Sequence, residues 1–470
     1  MLPAMREPID ILEPSQVVRI FAAVQEADYD VPWQTDSPTS GTGSGVIIGP
    51  NRILTGAHVV ADATFLEIQT VDDSDKHVAE VVAICHDADL ALLQLHDPQA
   101  LAGIRPAELG NLPERRERIA VVGYPVGGEE LSVTEGVVSR IEVQRYAHSQ
   151  RDLLAMTVDA AINSGNSGGP VVHEGRVVGI AFQSLEDAEN IGEAVPAPLI
   201  RRFLKGVDEG LCLEVPGFGL ETQGLENSGL RRALGVPDGE SGVLVKRVAF
   251  GNSCSGVIET GDVLLSIDGY SIANNGTVRY QGVRTTLGVL LGERFVGERL
   301  PIIVRRNGEI HSLEIELARA AELVPSSRYG IEPTYFVFAG IVLQPLSRDF
   351  LRSWTDWNDK APKEFLAHYY LGHRTKERQE IIVISQVLAD ELTVGYGPLY
   401  WESILRVNDV IPKDMADFVR LVEESEETVT FVTSSQGRLV FNVKEARQAQ
   451  ERILGRYRIP RDRSPDLSQA

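Results

Sequence analysis

Cysteine is scarce in this chain, with three residues among 470. These three, Cys85, Cys212 and Cys254, are odd in number, far apart and without the spacing of metal ligands. Such a pattern excludes a disulfide framework and predicts free thiols in a reducing compartment.

Basic residues and long apolar runs are also under-represented. The chain has 45 Lys and Arg against 67 Asp and Glu, a net charge of −22, which argues against nucleic acid and anionic membranes as main partners. No stretch approaches the roughly 18 uninterrupted apolar residues of a membrane-spanning helix. Residues 1–16 are acidic and Pro-rich and lack an apolar core of the secretory type. We therefore expect no membrane span and a cytoplasmic location.

What remains is the composition of an ordinary globular protein, with 43% hydrophobic and 24% charged residues. The length predicts about three domains. After a flexible segment at 1–16, short strand-like runs separated by Gly and Pro fill residues 17–205, with a closing helix at 199–205. This pattern is typical of an all-β barrel or sandwich.

One octet carries the strongest chemical signal, Asn163-Ser164-Gly165-Asn166-Ser167-Gly168-Gly169-Pro170. Its glycines allow a tight turn in which successive N–H groups point to one spot beside the Ser167 hydroxyl. An acyl-transfer site needs such a nucleophile next to an oxyanion hole. The alternative is a plain Ser/Gly/Asn surface turn.

A histidine and an aspartate precede this serine in a meaningful order. His58 follows a strand-like run, and Asp89 precedes an apolar run that begins at Leu90. The order His, Asp, Ser is that of chymotrypsin-like proteases, whereas α/β-hydrolases run Ser, acid, His. Asp87, two residues earlier, is a rival acid.

Two other local patterns are weaker candidates for chemistry. Cys85 and His86 are adjacent, but neighbours on a strand point to opposite faces, so we expect Cys85 in the core rather than in a Cys–His dyad. The run Gly41-Thr42-Gly43-Ser44-Gly45 leads into a strand and lacks dinucleotide-binding spacing. We expect its glycines to serve a close backbone approach.

Three motifs together resemble the HtrA/Deg family of serine proteases: Thr55-Gly56-Ala57-His58-Val59, Asp89-Leu90-Ala91-Leu92 and Gly165-Asn166-Ser167-Gly168-Gly169-Pro170. The resemblance implies a chymotrypsin-like double β-barrel at 17–205. In it His58 is the general base, Asp89 orients His58, and Ser167 attacks the peptide carbonyl. The N–H groups of Gly165, Asn166 and Ser167 would form the oxyanion hole.

Further segments narrow the resemblance to plant-type Deg proteases with two C-terminal PDZ domains: Trp33-Gln34, Val122-Gly123-Tyr124-Pro125 and Ile180-Ala181-Phe182-Gln183-Ser184-Leu185. Residues 123–128 and 181–192 resemble active-site loops of the family. In the family the segment before Gly192 lines the primary specificity pocket. Ile162 and Ile180 beside it suggest an apolar pocket for a small aliphatic side chain.

The second half of the chain looks like two PDZ domains. The first, at 214–319, would use Gly217, Phe218, Gly219 and Leu220 to hold a peptide C-terminus, with the peptide added as a strand. A second, divergent PDZ-like domain at 334–447 has a charged insertion, so we expect it to serve assembly. Residues 448–470 are expected to be a tail with a disordered end.

These features predict a mainly β, ATP-independent endopeptidase that degrades unfolded or misfolded proteins and needs no cofactor or metal. The resemblance implies homo-oligomers, trimers or hexamers, with PDZ domains that bind substrate and regulate the site. The alternative is a chaperone or scaffold with little proteolytic activity. An esterase on an α/β-hydrolase fold is disfavoured because no histidine after Ser167 lies in a matching context.

Overall fold

The computed structural model describes residues 10–125, 130–162, 165–184 and 191–469. The chain divides into two compact units. The first contains 10–25, 38–248 and 252–320, and the second contains 26–37, 249–251 and 321–469.

Two closed antiparallel barrels begin the first unit, with strand orders β1-β2-β3-β6-β5-β4 and β10-β11-β12-β9-β8-β7. The first barrel contains β1 Val17–Val24, β2 Thr39–Gly49, β3 Arg52–Thr55, β4 Ala63–Gln69, β5 His77–Cys85 and β6 Leu90–Leu95, with the short helix α1 Ala57–Val60 after β3. The second contains β7 Arg118–Gly123, β8 Ser132–Arg145, β9 Asp152–Val158, β10 Pro170–His173, β11 Arg176–Ser184 and β12 Gly192–Pro196. The predicted double barrel is therefore confirmed.

Each barrel is filled by inward-facing aliphatic side chains. The first barrel buries Ile20, Ile47 and Leu93, and the second buries Val121 and Met156. Because side chains alternate across a strand, the same strands carry polar residues outward. Short 3-10 turns of three and four residues lie at Pro14–Gln16 and Pro98–Leu101.

Helix α2, Ala197–Glu209, follows the second barrel and is longer than the predicted 199–205. It has a proline in its first turn and ends at Gly210, whose φ of 65° is left-handed. Proline is favoured in the first turn because the N–H groups there have no helical partner, and glycine is favoured just past the end because it adopts a left-handed φ without steric cost.

The first PDZ-like domain follows in the same unit as a sheet of order β13-β14-β15-β19-β20, with β16 paired to β15 and a separate hairpin β17-β18. Its elements are β13 Leu220–Gly224, α3 Ser228–Ala233, β14 Val243–Val248, β15 Val263–Ile267, β16 Tyr270–Ser271, β17 Thr277–Tyr280, β18 Val283–Thr286, β19 Arg299–Arg306 and β20 Glu309–Glu316, with a 3-10 turn at Leu287–Leu291.

The second unit holds two three-stranded sheets, β21-β22-β23 and β24-β25-β26. Its elements are β21 Phe336–Phe338, β22 Ile341–Pro345, α4 Arg348–Arg352, α5 Trp357–Lys360, α6 Lys363–Leu371, β23 Ile382–Val387, β24 Ile404–Val407, α7 Met415–Glu423, β25 Thr428–Thr433, β26 Arg438–Asn442 and α8 Val443–Tyr457, with 3-10 turns at Glu391–Thr393, Gly397–Leu399 and Pro465–Gln469. The segment 26–37 packs here, where the Trp33 and Tyr335 rings meet edge to face at 5.7 Å.

The tail expected at 448–470 is instead an ordered part of this unit. Helix α8 continues through it to Tyr457, and Ile453 is fully buried. Beyond the helix, Phe336 forms a β-bridge with Arg463, and Leu467 is 6% exposed. The prediction of a tail was wrong because it relied on the polar composition of residues 448–470. A few apolar residues in this segment are enough to dock it on the edge of a sheet.

Candidate active site

His58 and Asp89 meet at one edge of the first barrel. His58 lies in α1, directly after β3, and Asp89 lies in the turn between β5 and β6 with a left-handed φ of 53°. The Asp89 carboxylate accepts one hydrogen bond from the His58 ring at Nδ1 (2.7 Å) and one from the His58 backbone N–H (2.8 Å). Asp89 is 1% exposed, so its carboxylate is shielded from water, whereas the His58 side chain is partly exposed.

The glycine before this helix makes room for the ring. A Cβ at Gly56 would lie 2.6 Å from His58 Cε1, closer than any side chain tolerates. The motif Gly-Ala-His thus has a local steric reason: the imidazole lies over residue 56.

Charge and burial shift the pKa values of His58 and Asp89 in opposite directions. Burial disfavours the charged form of His58, but the charge and hydrogen bond of Asp89 together outweigh it and raise the His58 pKa. Burial also opposes the ionised form of Asp89, yet His58, with a smaller contribution from His148, holds the Asp89 pKa below its usual range. The electrostatics therefore favour an ionised Asp89 beside an imidazole that readily takes a proton.

Ser167 lies in the turn before β10, held by two left-handed glycines. Gly165 has φ 101° and Gly168 has φ 81°. A Cβ at Gly168 would lie 2.3 Å from Thr55 Oγ1, so residue 168 has neither the space nor the backbone conformation for a side chain. The Gly168 N–H donates to the Ala181 carbonyl at 2.7 Å, which ties the turn to β11.

Ser44, at the centre of the glycine run in β2, anchors the same turn from the other barrel. Its N–H donates to the Ser167 carbonyl (2.9 Å), and its hydroxyl donates to the Gly165 carbonyl (2.7 Å). The hydroxyl also accepts the Tyr124 N–H (2.8 Å). The sequence reading missed Ser44, because its role depends on contacts with residues 80 and 121 positions away.

The glycines around Ser44 provide the close approach expected of them, although they lie in β2 rather than in a loop. A Cβ at Gly43 would meet Val59 at 2.5 Å and the Ser167 carbonyl at 3.2 Å. Thr55 completes the arrangement by donating its hydroxyl to the Ser44 carbonyl at 2.7 Å.

The reacting atoms are available for chemistry. His58 Nε2 is buried and has no hydrogen-bond partner in the described part of the chain. The Ser167 N–H likewise donates to no backbone carbonyl among the described residues. Asn166 is buried at 1% exposure. Asn163, Ser164, and parts of the two predicted active-site loops (126–129 and 185–190) lie outside the described residues.

The structure separates the two residues predicted for the specificity pocket. Ile162 packs in the core of the second barrel with Ala181, and a Cβ at Gly192 would lie 2.4 Å from its side chain. Ile180 belongs to a different buried cluster, with Val195. Adjacent positions of β11 point to opposite faces, so Ala181 lies in the same cluster as Ile162 and its neighbour Ile180 does not.

The residues considered as alternatives for the catalytic acid and for a Cys–His dyad make other contacts. The Asp87 carboxylate accepts the Val215 N–H at 2.7 Å. Cys85 is 2% exposed and donates its thiol to the Leu213 carbonyl, and burial raises its pKa to about 12, which makes it the inert core residue expected. His86 pairs with His148 at 3.0 Å. No cluster of His, Cys, Asp and Glu with a metal-binding arrangement occurs among the described residues.

A second candidate site lies in the first PDZ-like domain. The carbonyls of Gly217 and Phe218 accept the N–H groups of Ser253 and Cys254, whereas the N–H groups of Phe218 and Gly219 donate to no described backbone carbonyl. Gly219 has φ 69°, and a Cβ there would lie 2.3 Å from Asn252 Cβ. Strand β13, which starts at Leu220, pairs only with β14 among the described strands and so presents a free edge.

Fold, site and comparisons together define a trypsin-like serine protease with PDZ domains. Residues 43–180 match the family described as a trypsin-like peptidase domain, and residues 324–466 match a PDZ domain family. The chain belongs to the HtrA/Deg family of Do-like proteases.

Two relatives from Arabidopsis thaliana are similar over nearly the whole chain. Protease Do-like 2, chloroplastic, is 35% identical over 96% of this chain and 75% of its own length. Putative protease Do-like 3, mitochondrial, is 32% identical over 96% of this chain and 80% of its own. Among solved structures, the HtrA-type protease AlgWS227A with a decapeptide superposes with a TM-score of 0.52 at 22% identity, covering 65% of this chain and 94% of that one. This last similarity supports the fold.

No helix among the described residues is long and apolar enough to cross a membrane.

Proposed function

We propose that the chain is an ATP-independent endopeptidase that degrades unfolded or misfolded proteins by a triad of His58, Asp89 and Ser167. The observation that carries the proposal is the His58–Asp89 pair, in which one buried carboxylate accepts hydrogen bonds from both the ring and the backbone N–H of His58. An imidazole oriented at Nδ1 by a buried carboxylate, with Nε2 open, is what a general base for a serine hydroxyl requires.

In the reaction, Ser167 Oγ attacks the peptide carbonyl carbon while its proton passes to His58 Nε2. The N–H groups of Gly165, Asn166 and Ser167 stabilise the oxyanion, and each such donor contributes about 3–4 kcal/mol. His58 then protonates the leaving amine, and water repeats the sequence to release the acyl group. Asp89 remains ionised throughout.

Peptide C-termini are the proposed ligands of the first PDZ-like domain. The N–H groups of Phe218 and Gly219, which donate to no described backbone carbonyl, fit a carboxylate, and the free edge of β13 fits an added strand.

We also propose that copies of this chain assemble into trimers or hexamers. We also propose that Ile162 restricts the primary specificity pocket to small aliphatic side chains, which a peptide-library cleavage profile tests.

A chaperone with an idle protease domain is the second candidate. The observation in its favour is that His58 Nε2 makes no hydrogen bond to Ser167, although an active triad transfers the serine proton to this atom.

Digestion of β-casein without ATP separates the two candidates. We expect cleavage by the wild type, none by Ser167→Ala, and no change when ATP is added. If both proteins leave casein intact while both suppress aggregation of a denatured client, the chaperone candidate is correct. A sizing column run on the same samples reports the oligomer.

A further inference from the structure

Asp87 has contacts that the triad itself does not explain. It lies in the turn between β5 and β6, separated from Asp89 only by Ala88, which is fully buried. Its carboxylate accepts the Val215 N–H at 2.7 Å, and its backbone carbonyl accepts the Ser149 hydroxyl at 2.9 Å. The turn that presents Asp89 is therefore fixed from outside the first barrel.

The other end of this contact is itself rigid. Val215 is 1% exposed, and it directly precedes Pro216 and the loop that starts at Gly217. The Arg151 guanidinium donates to the carbonyls of Val215 (2.9 Å) and Pro216 (2.7 Å). Because Arg151 holds the Val215 segment in place, the Val215 N–H can in turn hold the turn that contains Asp87.

Positioning matters here because the Asp89 backbone is in an uncommon conformation. A left-handed φ of 53° is uncommon for a residue with a side chain, although Asp adopts it more readily than most residues do, so contacts from outside the turn help to keep it. The turn's own hydrogen bond, from the Asp89 N–H to the His86 carbonyl, is 3.2 Å long and so lies at the long end of the normal range. A catalytic hydrogen bond such as His58–Asp89 tolerates only small displacements of its support.

We propose that Asp87 is a positioning residue for proteolysis, whose carboxylate ties the turn of Asp89 to the N–H of Val215 at the entry to the first PDZ-like domain. The proposal rests on the proposed function of the triad. It makes the segment at Val215 part of what keeps the active site formed, independently of any peptide bound further along.

The test compares two substitutions of Asp87 in the full-length protein. Asp87→Ala removes the acceptor, whereas Asp87→Asn keeps an oxygen that can accept the same N–H and removes only the charge. The readouts are the rate at which a fluorophosphonate probe labels Ser167, and kcat and KM on a fluorogenic peptide. Asp97→Ala is the matched control, since Asp97 is an exposed carboxylate in the same barrel that accepts the Gln99 N–H at 3.0 Å.

We expect Asp87→Ala to lower the labelling rate and kcat about 10-fold with KM changed less than about 3-fold, because geometry at the reacting atoms is lost while peptide binding is not. Asp87→Asn and Asp97→Ala should stay within about 3-fold of the wild type. Equal labelling of Asp87→Ala and wild type would overturn the proposal, as would equal losses in Asp87→Ala and Asp87→Asn, which would mean that the charge and not the hydrogen bond matters.

Folding and the parent proposal are checked separately. Should Asp87→Ala fail to fold by circular dichroism, Asp87→Ser, whose shorter side chain cannot bridge to Val215, is judged by the same criteria. A wild type that the probe does not label refutes the proposed function itself. A labelled wild type with an equally labelled Asp87→Ala refutes only the role of Asp87.

Discussion

The Asp89 carboxylate binds His58 twice, through the ring at 2.7 Å and through the backbone N–H at 2.8 Å. The second bond fixes the start of α1 and the first fixes the imidazole, so one buried carboxylate sets both the position and the tautomer of His58. Measurable consequences follow from this pair and from the contacts around it.

The pH dependence of activity should reflect the raised pKa of His58. A general base must be neutral, so the acid limb of kcat/KM should lie above the roughly 6.5 of an ordinary histidine. Rates on a fluorogenic peptide between about pH 5 and 9 locate the limb. An acid limb of kcat/KM at or below the roughly 6.5 of an ordinary histidine would contradict this prediction.

Asp89→Asn should lower kcat by about 10⁴, the magnitude found for the corresponding trypsin variant.

The same pair affects stability with opposite signs at the two ends of the pH range. The raised pKa of His58 contributes stability that is present below its unfolded value and is lost as the pH rises through the folded value. The lowered pKa of Asp89 contributes stability that is present above its unfolded value and is lost as the pH falls through the folded value.

Ser44→Ala should impair catalysis without touching the triad. It leaves the Gly165 carbonyl and the Tyr124 N–H unpaired in a buried site, and each such group costs about 1–3 kcal/mol. We expect kcat to fall about 10-fold to 100-fold as the turn of Ser167 loosens. Ser40→Ala, at an exposed position of the same strand, is the control and should be unchanged. Equal activity of the two variants would show that the backbone bonds alone hold the turn.

Gly168→Ala should abolish activity. The added Cβ would lie 2.3 Å from Thr55 Oγ1 and 2.5 Å from the Ser44 carbonyl, at a residue whose φ is 81°. The turn must therefore shift, and the oxyanion donors shift with it. Gly41→Ala, where a Cβ meets nothing within 4 Å, is the control. Casein digestion and fluorophosphonate labelling report the outcome, and an active Gly168→Ala protein would contradict the turn geometry.

Gly219→Ala should weaken peptide binding at the first PDZ-like domain. A Cβ there would lie 2.3 Å from Asn252 Cβ, so the proposed carboxylate loop must move. Gly256→Ala separates clash from backbone strain, because Gly256 has a φ of 81° in open space. Fluorescence anisotropy with a labelled peptide bearing a free C-terminus measures the affinity. We expect at least a 10-fold loss for Gly219→Ala only, about 1.4 kcal/mol.

Truncation after Ile459 should destabilise the second unit. It removes the Asp462–Val337 and Ser464–Tyr335 backbone hydrogen bonds and the buried Leu467 side chain. Together these are worth roughly 3–5 kcal/mol. Thermal unfolding measures the change, with truncation after Ser468 as the control. Identical midpoints of thermal unfolding for the two truncated proteins would show that the end of the chain is the disordered tail that composition predicted.

The sequence by itself determined the family and the double-barrel architecture. The strand-like runs were expected to begin at residue 17, and β1 is observed at Val17–Val24, because period-two alternation and short-range turn residues are local properties. The motifs at His58, Asp89 and Ser167 identify the family for the same reason: each is a short stretch whose glycines and small residues answer a local steric need.

Only the tertiary structure decided which groups meet. It gave Asp89 rather than Asp87 to His58, gave Asp87 to Val215 from 128 positions away, and brought Ser44 to a turn 121 positions further on. It also put Ile180 in a different core from Ile162, and seated residues 460–467 on a sheet edge. A side chain's partner depends on the direction it points and on what the rest of the chain brings opposite, and neither is encoded in the residues beside it.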